Sequence, residues 1–282
     1  MKVVVTGVQG QLGYDVVKQL TARNHQVFGT DRNELDITDE KAVQAYFDEI
    51  KPDALLHCAA YTNVDGAEED KETVYKVNAI GAKYLAQAAS KVGAKMVYVS
   101  TDYVFDGTAA EPYEVDHPTQ PLGVYGETKY AGEEFVKQNL DHHFIVRTAW
   151  VYGINGNNFV KTMLRLAGDR DELGVVHDQV GSPTYTVDLA RFMIDLVESD
   201  KYGVYHATNE GVCSWYDFAV EIFKQADVHV KVNPLTSEQF PRPAARPKYS
   251  VLSKKKIIEQ GFTPLPNWKD ALSAYLRELR KS

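Results

Sequence analysis

Tyr125 and Lys129 stand four residues apart in the stretch Tyr125-Gly126-Glu127-Thr128-Lys129. On a helix that spacing places both side chains on one face, one turn apart. A free phenol has a pKa of about 10 and holds its proton too tightly to exchange it readily at neutral pH. A neighbouring ammonium favours the phenolate and makes the proton easier to give up. Upstream, Ser100-Thr101-Asp102 offers a hydroxyl that can hold a substrate oxygen. Near the start of the chain, Thr6-Gly7-x-x-Gly10-x-x-Gly13 is a glycine turn that lets a pyrophosphate approach the backbone. A proton donor, an oxygen-holding hydroxyl and a dinucleotide loop together make a hydride-transfer site.

Those groups need a scaffold that brings distant residues to one edge. Lys2 to Thr6 is a short β-branched run, the mark of a buried parallel strand, and a helical pattern follows the glycines through Leu20. Gln26–Thr30 is the second strand and ends at Asp31-Arg32. Asp31 suits an adenosine ribose 2′-hydroxyl and favours NAD, whereas Arg32 suits a 2′-phosphate and favours NADP; the sequence supports both. Thr38 or Asp39 caps a helix over roughly 40–49. Ala54–Cys58 is the third strand and runs into Ala59-Ala60-Tyr61-Thr62, small residues that suit a cofactor lying across the sheet edge. Residues 64–68 read as a polar loop and 71–91 as one long helix whose Asn78 braces the strand bearing Thr101. Lys95–Ser100 is the fourth strand, and a helix from Tyr125 to about Asn139 precedes the fifth, His143–Thr148. After Trp150 the alternation loosens: a helix over 157–167, a strand over 174–177, a turn at 181–185, a helix over 186–198 and a strand at 202–206 that returns to the main sheet. Ser214 caps a helix through Ala226, 228–232 is a short strand, Pro241–Pro247 is extended and cationic, and two short helices close the chain. The expected fold is α/β: a Rossmann-type doubly wound parallel sheet with a smaller, discontinuous C-terminal α/β domain. Residues 1–150 with about 184–206 form the dinucleotide-binding part, and 151–183 with 207–282 hold the substrate.

Composition narrows the partners. The 282 residues are 44% hydrophobic and 25% charged with a net charge of −8, the profile of a soluble globular protein. No basic stripe marks a nucleic-acid surface, and no apolar run approaches the roughly 20 residues that span a bilayer. Two distant cysteines, Cys58 and Cys213, and no secretory pattern fit a reduced cytoplasmic location. His57, His117, His177 and His206 lack metal-ligand spacing and read as structural or exposed. Trp150 suits stacking on a sugar or base and equally a core position at a strand end; Tyr103 and Phe105 carry the same two readings. Asp102 either touches substrate or positions its loop. In a net acidic chain a diphosphate needs local cations, and Arg242, Arg246 and Lys161 are candidates.

The glycine turn, Thr101 and Tyr125-x-x-x-Lys129 resemble the extended short-chain dehydrogenases/reductases. Ser100-Thr101-Asp102-Tyr103-Val104-Phe105-Asp106-Gly107, Tyr125–Glu133, Arg147–Gly153, Asp178-Gln179-x-Gly181-x-Pro183-Thr184 and Arg246-Pro247 narrow the resemblance to the dTDP-4-dehydrorhamnose reductase family, over nearly the whole chain. The resemblance implies reduction of the 4-keto group of dTDP-4-dehydro-6-deoxy-L-mannose by NADPH or NADH. It implies Thr101, Tyr125 and Lys129 as the catalytic set. It places Gly7, Gln9, Gly10, Gln11, Leu12, Gly13, Asp31, Arg32, Asp36, Ile37, Ala59, Ala60, Tyr61 and Thr62, with Tyr125 and Lys129, at the cofactor. Thr101, Asp102, Tyr103, Val104, Phe105, Trp150 and Arg246 fall to the sugar nucleotide. Some family members are magnesium-linked dimers that use acidic residues after the glycine turn and after the Pro-Thr turn. Asp15 fills the first position, but the second holds Val187, with Asp188 rotated about 100° around a helix. No structural metal is therefore expected, and either a monomer or a homodimer is compatible. An epimerase or dehydratase on the same fold, or a non-catalytic NADP-binding subunit like that of methionine adenosyltransferase, are the competing functions.

Overall fold

The computed structural model describes residues 1–281. The first half alternates strand and helix: β1 (Lys2–Thr6), α1 (Gln11–Ala22), β2 (Gln26–Thr30), α2 (Glu40–Ile50), β3 (Ala54–His57), α3 (Val64–Ala67), α4 (Lys71–Tyr75), α5 (Gly81–Val92), β4 (Lys95–Thr101), α6 (Val124–Asn139) and β5 (His143–Thr148). The second half holds β6 (Val151–Tyr152), α7 (Phe159–Ala167), β7 (Glu172–Val176), β8 (Val180–Gly181), β9 (Thr184–Tyr185), α8 (Thr186–Val197), β10 (Gly203–His206), β11 (Cys213–Ser214), α9 (Trp215–Ala226), β12 (Lys231–Leu235), α10 (Lys255–Glu259) and α11 (Trp268–Leu279).

Six strands pair in parallel in the order β10-β5-β4-β3-β1-β2. From β1 the chain crosses outward to β2, then returns past β1 to build β3, β4, β5 and β10. The carboxyl ends of β1 and β3 thus border the point where the winding reverses, and a crevice opens there. Both sheet faces are covered, which is why the central strands are continuous apolar runs. Val3, Val5, Leu56, Val97 and Val146 pack with α1 and α8, while Val4, Leu55, Met96 and Ile145 pack with α2, α5 and α6. A third cluster, from Tyr152 to Leu276, joins α7, α9 and α11 around Phe218, Tyr275 and Trp268.

Three local readings change. Residues 64–67 are a helical turn, because Asn63 caps it by accepting from the Gly66 N–H. The helix expected over 71–91 is broken by a π-helical stretch, Lys76–Ile80, between α4 and α5. Asn78 lies in that stretch, where such widenings turn a polar side chain toward a site. The last strand is displaced to Lys231–Leu235 and includes Pro234, which a strand tolerates here because its only partner among the described residues is β7. Asp39 caps α2, and Ser214 caps α9 in a reciprocal box with Asp217. Among the described residues no helix is long and apolar enough to cross a membrane.

Candidate active site

The crevice at the sheet's carboxyl edge is a cavity of about 1220 Å³. That exceeds the roughly 300–1,000 Å³ of a site for one small ligand, so it has room for a cofactor and a substrate together.

Its floor is the glycine turn. Gly7 adopts a left-handed φ of 73°, its N–H donates to the Thr30 carbonyl at 2.8 Å, and its own carbonyl accepts from Gly10 at 3.0 Å. A Cβ on Gly13 would lie 2.1 Å from the Gly7 oxygen, so the third glycine is demanded by packing of the turn onto α1. No side chain caps α1 at Gly10. The N–H groups of its first turn therefore face the cavity unclaimed by a side chain, an anion site with the helix dipole behind it. Asp31 Oδ2 accepts from the Gln9 N–H at 2.9 Å, so this carboxylate shapes the turn as well as lining the cavity. Arg32 is exposed at the same rim and has no ion-pair partner among the described residues. Asp36 is drawn into its own turn: Oδ1 accepts from the Thr38 N–H at 2.9 Å and hydroxyl at 2.7 Å, which holds the carboxyl below its ordinary range.

Ala59, Ala60, Tyr61 and Thr62 form the opposite wall. Asn78 holds this wall by its amide, accepting from the Tyr61 N–H at 2.8 Å and donating to the Tyr61 carbonyl at 3.1 Å. Its other contact is the Thr128 hydroxyl on α6 at 3.3 Å. Asn78 therefore braces the wall and α6 with its side chain, and reaches β4 only through its carbonyl, which accepts from the Tyr98 hydroxyl at 3.2 Å.

The three expected catalytic residues all line the cavity. Thr101 ends β4, and its hydroxyl donates to Asp102 Oδ1 at 3.0 Å while accepting from the Tyr103 N–H. Tyr125 lies in the first turn of α6. Gly126 lets that turn press on the Tyr103 carbonyl, which would stand 2.2 Å from a Cβ at this position. The rings of Tyr103 and Tyr125 consequently meet edge to face at 5.5 Å. Lys129 is 3% exposed, and its Nζ stands 4.1 Å from the centre of the Tyr98 ring.

Burial dominates the electrostatics. It pushes Lys129 down to about 7, against the pull of the Glu133 carboxylate. Burial and then the Lys129 charge press His57 down to about 3. The Asp102 carboxyl, 2% exposed, is pushed up to about 6 by burial. Tyr125 is pushed up to about 12 by burial and by the charge of Asp102, with Thr101 opposing. Among the protein's own groups only Thr101 lowers the phenol, while the Lys129 ammonium sits over the Tyr98 ring.

Other assignments are also revised. Val104 and Phe105 do not line the cavity; they are buried in a separate apolar cluster where Phe105 stacks on Tyr113 at 4.3 Å. Arg246 does not line it either, because its guanidinium donates to Asp65 at 2.9 Å and to the Ala244 carbonyl. Arg242 pairs with the same carboxylate at 2.6 Å, and the Lys161 ammonium donates to the carbonyls of Ile154 and Gly156. Gln9 is exposed outside the cavity lining. Trp150 does line the cavity, at a left-handed φ of 50°. Trp215, which sequence reasoning missed, stacks on it and lines the same cavity. Asn158 was missed too; it donates to Gln11 Oε1 at 3.1 Å and ties the segment after Trp150 to the glycine turn. Asp15 is buried and accepts from the Thr186 hydroxyl at 2.5 Å, while Asp188 accepts from Asn209 at 2.8 Å, so the two carboxylates serve separate partners inside the fold.

The RmlD substrate binding domain family profile matches residues 1–281. A crystal structure of a dTDP-4-dehydrorhamnose reductase from Clostridium acetobutylicum superposes with a TM-score of 0.98 at 51% identity, over 99% of this chain and 100% of that one. The enzyme of that name from Bacillus anthracis, solved in complex with NADP, gives 0.96 at 46% identity over 98% and 99%. A dTDP-4-dehydrorhamnose reductase from Mycolicibacterium smegmatis is 42% identical over 96% of this chain and 84% of its own. The chain belongs to the RmlD substrate binding domain family.

Proposed function

We propose that this protein reduces the 4-keto group of dTDP-4-dehydro-6-deoxy-L-mannose to dTDP-L-rhamnose with NADPH or NADH, the last step in making that sugar nucleotide. The observation that carries it is the convergence of Thr101, Tyr125 and Lys129 on the cavity floored by the glycine turn. Relatives at 42–51% identity along nearly the whole chain bear the name of that activity, and one is in complex with NADP.

The residues present fit a dinucleotide: an uncapped helix N-terminus beside a turn whose glycines leave the backbone bare, and Arg32 at the rim for a 2′-phosphate. When bound, the nicotinamide supplies the hydride. Thr101 holds the keto oxygen and keeps it in reach of Tyr125. Tyr125 gives its proton to the oxygen as negative charge develops there, and burial keeps that proton on the phenol beforehand. Lys129, pushed down to about 7 by burial, compensates the phenolate left behind when it carries its proton. Trp150 and Trp215 supply a flat apolar wall for the sugar nucleotide. We assign 1–150 with 184–206 to the dinucleotide, and 151–183 with 207–282 to the sugar nucleotide.

Mixing the protein with NADPH and the dTDP-4-keto sugar and following the nicotinamide absorbance tests the assignment. Loss of NADPH that requires the keto sugar supports it. No loss, with cofactor retained through purification, points to an epimerase or a non-catalytic binding module.

A further inference from the structure

Tyr125, Lys129 and Glu133 recur at four-residue intervals along α6, so the three share one face. The first two line the cavity; Glu133 lies a turn deeper, with no exposed surface. Its carboxylate is fully engaged. The Ser100 hydroxyl donates to Oε1 at 2.6 Å, and Arg147 donates from Nε to Oε1 at 2.9 Å and from Nη2 to Oε2 at 2.7 Å. Ser100 immediately precedes Thr101 on β4, and Arg147 lies on β5. Arg147 continues outward to the Val115 carbonyl at 3.1 Å and lies over the Phe105 ring. One carboxylate therefore joins the helix bearing Tyr125 and Lys129 to the strand bearing Thr101.

We propose that Glu133 is a positioning residue for the reduction: it fixes α6 against Ser100 and supplies the negative charge that opposes burial and favours the ammonium form of Lys129. The inference rests on the reductase reading above. A buried ion pair that only stabilised the fold would satisfy Arg147 equally well, but would not govern the protonation of Lys129.

The surroundings of Lys129 leave Glu133 as its principal anion. From the end of β3, His57 and the following Cys58 face it; from β4, Tyr98; from its own helix, Glu133. His57 is held neutral by burial and the Cys58 thiol is pushed up to about 12, so neither brings charge at neutral pH. Glu133 in turn faces Tyr98 and Ser100 on β4, Arg147 on β5 with His206 of β10 behind it, and Lys137 on α6 at 3.9 Å. Burial drives Lys129 toward the neutral amine, and Glu133 is the first of the groups that oppose it.

The test reads Lys129 directly. In the protein without cofactor, carrying 13C-labelled lysine, the Cε resonance of Lys129 is assigned by its loss in Lys129→Met and titrated with pH. In Glu133→Gln the titration is expected to move down by about one unit. Glu133→Gln leaves Arg147 without a carboxylate, so the Glu133→Gln/Arg147→Met double variant removes both charges and is expected to show a smaller shift in the same downward direction. Ser100→Ala keeps the charge and should leave the titration in place while lowering kcat. In turnover with NADPH and the keto sugar, the alkaline limb of kcat/KM should move with the resonance, and KM for NADPH should stay within about two-fold. A folded Glu133→Gln or double variant whose Lys129 titrates as in the unaltered protein overturns the proposal, as does an equal shift in Ser100→Ala. Failure of every Glu133 variant to fold assigns the residue to stability alone and overturns it too. If the unaltered protein fails to consume NADPH, the reductase reading falls while the Lys129 titration still reports on Glu133.

Discussion

The indole rings of Trp150 and Trp215 stack with centroids 3.7 Å apart and planes 13° from parallel. Trp150 follows β5 in a left-handed backbone conformation that a bulky residue adopts only when its surroundings hold it there. Trp215 is the first residue of α9 and also packs on Phe159, so one ring docks the cavity wall onto the second half of the chain. A substrate base packing on this aromatic wall would gain about 0.5–1.5 kcal/mol from such a ring contact. Trp215→Ala should therefore raise KM for the sugar nucleotide by about two- to twelve-fold, with NADPH affinity unchanged. Steady-state kinetics alongside NADPH titration measure both; an unaltered substrate KM would remove Trp215 from the site.

Tyr125→Phe keeps the ring against Tyr103 and removes only the hydroxyl. Positioned proton transfer contributes about 100- to 10,000-fold, and kcat should fall by that factor. Because the phenol proton is not part of the glycine cradle, NADPH should bind with nearly its original affinity. Ordinary turnover by this variant would show that another group donates the proton.

The glycines of the turn should fail in a graded way. A Cβ on Gly13 meets the Gly7 carbonyl at 2.1 Å, backbone that cannot give way, whereas one on Gly10 meets the same atom at 3.1 Å and nothing else within 4 Å. Gly13→Ala should lose cofactor binding together with several degrees of Tm, and Gly10→Ala should keep the fold and weaken only the cofactor. Calorimetric titration and thermal unfolding of the two variants separate the cases, and equal losses in both would contradict the packing role given to Gly13.

Much of this site was legible because parallel strands leave apolar runs and because glycine turns, caps and the Tyr125–Lys129 spacing are local patterns. β1, β2 and β5 fall where the runs place them, and Ser214 caps α9 as its residue type suggests. What could not be read is what depends on docking. Nothing around Trp215 says that its ring meets Trp150, and nothing around Arg246 says that its partner is Asp65, 181 residues away. Val104 and Phe105 sit between cavity residues in sequence, yet their side chains turn inward to Tyr113 and Leu252. The helical break at Asn78 is set by its grip on Tyr61 and Thr128, again a tertiary cause.

Asp65 pairs with both arginines of the cationic segment, and the two pairs should differ in worth. Arg242 is 48% exposed and Arg246 18%, and only Arg246 also bonds a carbonyl, that of Ala244. Exposed pairs contribute about 0–1 kcal/mol. Arg242→Ala should accordingly change unfolding stability by less than about 1 kcal/mol, and Arg246→Ala should cost about 1–3 kcal/mol. Denaturant unfolding of both variants reads the difference. If Arg242→Ala proves the more costly, the segment is held at its exposed end.

Asp102 makes a prediction about pH. Its folded-state value is about 6 against 3.8 for an ordinary aspartate. Between those values the folded chain binds more protons at this carboxyl than the unfolded chain does. Its stabilising contribution is therefore complete below pH 3.8 and lost as pH rises through 6. Asp102→Asn has no such dependence. The stability of the unaltered protein minus that of the variant should grow as pH falls from 7 to 4, by on the order of 3 kcal/mol. His57 acts with the opposite sign: held near 3 against an ordinary 6.5, it makes folding less favourable as pH falls below 6.5. The two groups offset one another in the unaltered protein between about pH 4 and 6, and Asp102→Asn exposes the His57 slope. Denaturant midpoints of both proteins at pH 7, 5.5 and 4 decide the matter. A difference that stays flat with pH would mean that Asp102 titrates near its ordinary value, and that its carboxylate is charged beside Thr101 at pH 5.5 and above.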